Sequence, residues 1–244
     1  MNHVDKAQRG FTVIELMLAM TSVSVLMITI ALTVVQLANI YNKGTTLRAV
    51  DQAGRAISRD MQTTLATSQL MDVGSDGKGG INYRIQSQVG SDGSDPDGGR
   101  LCTGTYSYVW NIGKALKKPV NTYQDDTEQI RLVKVRDAGA QYCNDLSMDI
   151  NKADATELLS SGDRELALQS FRIKPEAVDA VTQQALYRIV MELGTNDEDS
   201  LDRNVTINTI DTRCKPPSDD ASQRDFCAVN QFDFTVLAGN RGNS

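Results

Sequence analysis

The chain has 244 residues, 40% hydrophobic and 5% aromatic, with 25 basic and 31 acidic side chains and a formal net charge of −6. That length accommodates a membrane segment plus one compact domain, and an acidic body repels nucleic-acid phosphates, so no direct nucleic-acid partner is expected. The only histidine is His3, which excludes Ser-His-Asp and Cys-His catalysis and histidine-bearing zinc sites from the rest of the chain. No G-x-x-x-x-G-K-S/T phosphate loop occurs either, and an enzyme is not expected.

From Phe11 to Ala38 the only charge is Glu15, and residues 16–35 carry none. Twenty such residues in a helix span about 30 Å, the thickness of a bilayer core. A secretory signal peptide would have a shorter apolar region, about 7–15 residues, and a small-x-small cleavage site that is missing here. After Ala38, Leu47, Val50, Gly54, Ile57, Met61 and Leu65 recur every three or four residues, the stripe of an amphipathic helix. No proline precedes Pro96, so residues 11–70 are expected to form one helix, about 90 Å long at 1.5 Å per residue. Gly44 and Gly54 are its weak points.

The run Gly74-Ser75-Asp76-Gly77-Lys78-Gly79-Gly80 ends the helical pattern. Beyond it the period changes to two. Tyr106, Tyr108 and Trp110 alternate with Ser107, Val109 and Asn111, predicting a strand with one aromatic face. Tyr187, Ile189, Met191 and Leu193 form a second strand pattern, and Phe232, Phe234 and Val236 a third. Residues 81–85, 130–135, 166–173 and 205–210 are less regular strand candidates, and 151–159 a short helix or turn. Strands following one helix without βαβ alternation predict an α+β fold with antiparallel sheet.

Two groups of side chains invite chemistry. Asp92, Asp95 and Asp97 sit in the Gly-rich stretch 91–99, where closely spaced oxygens suit calcium; the EF-hand spacing is not met, and a solvated loop is the plainer reading. Otherwise no cofactor is expected. Cys102, Cys143, Cys214 and Cys227 contain no C-x-x-C, and an even count in an exported domain predicts disulfides rather than free thiols. Three connectivities are open. Proximity favours Cys214–Cys227, closing about 14 residues around Pro216-Pro217, which leaves Cys102–Cys143; each closure contributes about 3–4 kcal/mol on the loop-entropy model.

The boundary before the apolar run reads Lys6-Ala7-Gln8-Arg9-Gly10, then Phe11-Thr12-Val13-Ile14-Glu15-Leu16. It resembles the class III signal of type IV prepilins and secretion pseudopilins: a short basic leader, Gly, Phe, then an apolar helix with Glu at its fifth position. The resemblance implies cleavage between Gly10 and Phe11 by a membrane-embedded prepilin peptidase and N-methylation of Phe11. It also implies that Glu15 meets the Phe11 amine of an adjacent subunit during assembly. Lys6 and Arg9 would keep the leader cytoplasmic. Many major members carry a proline within the apolar half, and this chain does not.

Residues 166–173 followed by 186–193 resemble the paired strands of PilW/PulJ-type minor pilins. Phe232-Asp233-Phe234-Thr235-Val236-Leu237 with Asn240-Arg241 is similar to that group's Thr-Val-x-Leu-Arg-Asn ending, with Ala238 and Gly239 intervening. The resemblance implies a leader (1–10), a pilin helix (11–70, of which 11–38 is transmembrane and later filament core) and a β-rich domain (71–244). The protein would be a single-pass inner-membrane subunit with its C-terminal domain extracytoplasmic, then part of an extracellular or periplasmic filament. Its partners would be other pilins or pseudopilins through the helix, and the peptidase. The expected function is a minor pilin of a type IV pilus; a type II secretion pseudopilin or a tip-located adhesin are the alternatives.

Overall fold

A computed structural model describes residues 12–75, 79–88, 96–159, 165–179, 181–204, 211–216 and 227–239. The fold is α+β, a long apolar-started helix followed by antiparallel sheets. Helix α1 runs Val13–Ala66, shorter at both ends than the expected 11–70. At its C-terminus the Thr67 hydroxyl donates to Thr64 O at 2.9 Å and the Ser68 hydroxyl to Leu65 O at 2.7 Å. These side chains take up the last-turn carbonyls that further helix would need.

The chain divides into two compact units, Met1–Asn42 and Lys43–Ser244. The division falls inside α1, whose later turns belong to the core of the second unit. There Thr46, Val50, Gly54, Ile57, Met61, Thr64 and Leu65 are buried. Val50, Ile57, Met61 and Leu65 share one cluster with Leu168, Ile173, Tyr187, Ile189, Met191 and Leu193.

In that unit β1 (Tyr83–Gln86), β2 (Gly98–Cys102), β3 (Tyr106–Asn111), β4 (Leu132–Arg136) and β5 (Ala155–Glu157) form an antiparallel meander in chain order. A second sheet has the order β10-β7-β6, from β6 (Leu166–Asp179), β7 (Gln184–Thr195) and β10 (Val229–Ala238). Strands β8 (Leu201–Arg203) and β9 (Thr212–Cys214) pair separately. One turn of helix, α2, occupies Gln141–Asn144. β6 is bulged between Leu168 and Ser170 and again between Pro175 and Ala177, as suits a strand that must carry a proline.

The stretch 151–159 takes the turn alternative, a 3-10 turn over Lys152–Asp154, and then runs into β5. Residues 205–210 lie outside the described residues. β3 is a strand as expected, and both of its faces are covered: Ser107 through Asn111 are all buried. Trp110 packs with Tyr83 and Phe171 on one side, while Val109 joins Tyr123, Ile130 and Ile150 on the other. The polar members are satisfied there. Asn111 donates to Asn121 O and Ile130 O and accepts from Val120 and Asn121 N–H, and Ser107 donates to Asp137 at 2.5 Å. Fully bonded, they are tolerated in the interior.

Arg100 on β2 is 1% exposed. Its guanidinium donates to Asn121 Oδ1 (2.8 Å) and to the carbonyls of Tyr142, Asp145, Leu146 and Met148 (2.9–3.2 Å). Oriented backbone dipoles, rather than a carboxylate, compensate the buried cation. The same segment is held by the Cys102–Cys143 disulfide, Cα–Cα 6.1 Å, and by Asp137 accepting the Gln141 and Tyr142 N–H groups. The second disulfide is Cys214–Cys227, Cα–Cα 5.9 Å; both pairs are those that proximity favoured.

Gly54 is a contact, not a weak point. A Cβ built there would lie 2.0 Å from Phe232 Cζ, whereas one at Gly44 meets nothing within 4 Å. Gly54→Ala should therefore destabilise the protein by about 1–3 kcal/mol through overpacking, and Gly44→Ala should gain up to about 1 kcal/mol from helix propensity. Thermal unfolding followed by circular dichroism checks both; equal shifts would mean that Phe232 does not pack on Gly54. Arg100→Met removes the donor of four backbone carbonyls, the buried one of Tyr142 among them, and should lower stability by about 3 kcal/mol or more, read as the midpoint of urea unfolding.

Candidate functional site

Two regions carry the chemistry the sequence singled out: the start of α1 and the surface of the second unit. In the first, apolar side chains are exposed all round the helix, from Val13 (75%) through Met27 (62%) to Tyr41 (71%). A helix apolar on every side demands an apolar environment on every side. This one is long and apolar enough to cross a membrane. Its hydroxyls do not spoil that surface. Thr21, Ser22, Ser24, Thr29 and Thr33 each donate to a carbonyl three or four residues back, at 2.8–2.9 Å. Each donor is thereby satisfied within the helix.

The first turn holds a device that the reading of Glu15 missed. The Thr12 hydroxyl accepts the Glu15 N–H at 3.3 Å, and Glu15 Oε2 accepts the Thr12 N–H at 3.2 Å. This is a reciprocal capping box, legible in sequence as Thr-x-x-Glu. Among the described residues the carboxylate accepts from the Thr12 N–H and hydroxyl, both through Oε2. Gly10 and Phe11 lie outside the described residues, as do Asp92 and Asp95. Asp97 is described, and its carboxylate is engaged: Oδ1 lies 3.2 Å from Lys114 Nζ and Oδ2 accepts the Gln88 N–H at 2.7 Å. Among the described residues no three His, Cys, Asp or Glu side chains are grouped to hold a metal.

In the second unit, α1 is keyed to the meander by a polar cluster. Lys134 Nζ lies 2.9 Å from Asp60 Oδ1 and 2.7 Å from Thr64 Oγ1, over the Tyr106 ring at 4.7 Å. The Tyr108 hydroxyl donates to Asp60 at 2.6 Å. Burial, with the bond to Asp60, drives the Tyr108 phenol well above its ordinary range. The cluster borders a cleft of about 480 Å³ with Arg136, Asp154 and Leu158. A second cleft of about 540 Å³ is lined by Tyr123, Arg131, Lys152 and Glu157 among others. Its charges are engaged from within. Lys152 bonds Asp126 and Glu128, and Glu157 Oε1 accepts the Leu132 and Leu159 N–H groups. The chain was compared with models of known protein families, with curated proteins and with solved structures, and none matches.

Two carboxyls, the buried Glu192 and the half-buried Glu157, are held by their surroundings in a way that couples stability to pH. Burial pushes Glu157 and Glu192 above the ordinary 4.5, partly opposed by their hydrogen bonds to Leu132 and Thr212. A raised value means that the folded state holds the proton more tightly. The stabilisation is complete below the unfolded value and is lost as pH rises through the folded one. Glu192→Gln should thus match the wild type below about pH 4 and exceed it at about pH 7. Urea midpoints at both values test this; a variant weaker at neutral pH would reverse the sign.

Proposed function

We propose that the protein is a minor pilin, a membrane-held subunit of a type IV pilus that enters the filament through the first unit of α1. The observation that carries the reading is the helical surface from Val13 to Val35, exposed and apolar on all sides with one charge, Glu15, in its first turn. Such a surface is satisfied by lipid and equally by other apolar helices, so exchange between membrane and filament leaves its solvation nearly unchanged. With its hydroxyls bonded internally, the helix meets neighbours by close packing rather than by a fixed set of hydrogen bonds.

Glu15 supports the reading in a specific way. Its Oε2 serves the capping box, while Oε1 makes no hydrogen bond among the described residues. That oxygen can meet the freed amine of Phe11 on an adjacent subunit after cleavage behind Gly10. An isolated carboxylate in an apolar helix costs about 2.5–3.5 kcal/mol at mid-bilayer and less near an end. Leaving one member of a buried ion pair alone costs about 3–5 kcal/mol. Pairing therefore favours the assembled state over the monomer in lipid.

The test separates pairing from capping. Glu15→Ala removes both the cap and the charge, and Glu15→Gln keeps a cap-competent side chain but no charge. Thr12→Ala removes the hydroxyl of the cap alone. All three should insert and be cleaved to begin at Phe11 with a methylated amine, measured by intact mass. Both Glu15 variants should be depleted from sheared filaments relative to membranes, while Thr12→Ala incorporates. Wild-type incorporation of Glu15→Gln would reduce Glu15 to a helix cap. Recovery of the native chain only in a secretion pseudopilus would replace the pilus assignment with its runner-up.

A further inference from the structure

The turns of α1 within the second unit sort their charges by face. Both acids turn inward: Asp51 accepts from Asn230 Nδ2 at 2.6 Å, and Asp60 binds Lys134 and Tyr108. Arg48, Arg55 and Arg59 are exposed. With Gln52 they follow i, i+4, i+7 and i+11, a single ridge about 16 Å long beside the buried stripe. Asp51 stands three residues after Arg48 and four before Arg55, where helical ion pairs form. Its carboxylate nonetheless bonds Asn230. Arg55 and Arg59 place like charges at i, i+4, an arrangement that opposes an isolated helix. Among the described residues none of the three arginines has a salt bridge.

The rest of the second unit has the opposite sign. Residues 67–244 carry 19 basic and 27 acidic side chains, a net −8, whereas residues 43–66 carry four and two. Part of that acid is concentrated on a rigid platform. Loops 122–129 and 145–154 are joined by the Tyr123–Ile150 bridge and by Thr122 donating to Asp149 at 2.5 Å. Together they carry six acids and one base, Lys152, which serves Asp126 and Glu128. Asp125, Asp145, Asp149 and Asp154 remain exposed.

We propose that the Arg48–Arg55–Arg59 ridge docks on the acidic paired loops of a second copy of this chain. This deepens the reading of the protein as a filament subunit and rests on it. Charge complementarity selects the occupant: the ridge is basic, and the platform is the rigid acidic surface that every further copy brings. The two surfaces differ, so the contact is head-to-tail, the kind that repeats into an open helical array instead of closing as a dimer. Exposed pairs of this type steer and orient more than they bind. The ridge thereby sets the register of the second units while the apolar helices supply adhesion.

The experiment uses the full chain in zwitterionic detergent micelles, its self-association measured by analytical ultracentrifugation at about 0.05 M and about 0.5 M salt, where the screening length falls severalfold. The wild type should associate at low salt and weaken at least tenfold at high salt. Arg55→Glu with Arg59→Glu, and separately Asp145→Lys with Asp154→Lys, should each weaken low-salt association about tenfold, and mixing the two variants should restore it. Unchanged thermal unfolding verifies that both fold. Association indifferent to charge reversal, or no recovery on mixing, overturns the proposal. So does a ridge variant that self-associates normally but loses binding to phosphatidylglycerol vesicles, because the ridge would then serve lipid headgroups. Filament incorporation of the ridge variants at wild-type level sinks this proposal alone, and absence of the native chain from filaments sinks the subunit reading alone.

Discussion

The structure depends on a helix that must satisfy two environments along one axis. Through Val35 its side chains are apolar on every side but for Glu15 and hydroxyls bonded within the helix, and from Lys43 onward on one side only. An all-apolar surface cannot be hydrated without large cost, and a one-sided stripe cannot be left uncovered. The second requirement recruits the β domain: Val50, Ile57, Met61 and Leu65 are buried among strands distant in sequence. The first is left for partners outside the chain. The unit boundary at Asn42 and Lys43 marks where one regime gives way to the other.

Packing around the stripe then constrains everything else. Phe232 lies where Gly54 has no side chain, so β10 approaches the helix closely, and Asn230 and Asp51 bond at the same edge. On the other flank Lys134 and Tyr108 hold Asp60, registering the meander against the same helix. With the meander's inner face committed, its outer face is roofed by the segments 121–130 and 137–150 that flank β4. That roof contains little regular structure, so its carbonyls need donors. Arg100 supplies five, and the Cys102–Cys143 bond ties the roof to β2. A buried cation facing carbonyls is thus the consequence of covering a sheet with loop rather than helix.

The proposed function uses this division of labour. The apolar unit can pass between lipid and a bundle of like helices, and the second unit travels with it as a folded body stiffened by two disulfides. The charge sorting on the distal turns follows the same logic. Acids that face inward help hold the domain to the helix, and arginines that face outward are available to a neighbour.

The order of the polypeptide by itself determined the uncharged run of α1, the period-three-and-four stripe after it, the change to period two, and the α+β class. Each is a local pattern whose physical meaning depends only on neighbours in sequence. The capping box at Thr12 and Glu15 was equally local and legible, though read only for its carboxylate. The tertiary structure decided what depends on distant partners. Gly54 looked like a helix defect until Phe232 was placed against it. That both faces of β3 are covered, with Ser107 and Asn111 buried, follows only from the loops that roof it. Arg100 and Asp60 carried no signal at all, because a buried charge is stable only by virtue of groups brought from elsewhere in the chain, and periodicity does not encode where those groups arrive.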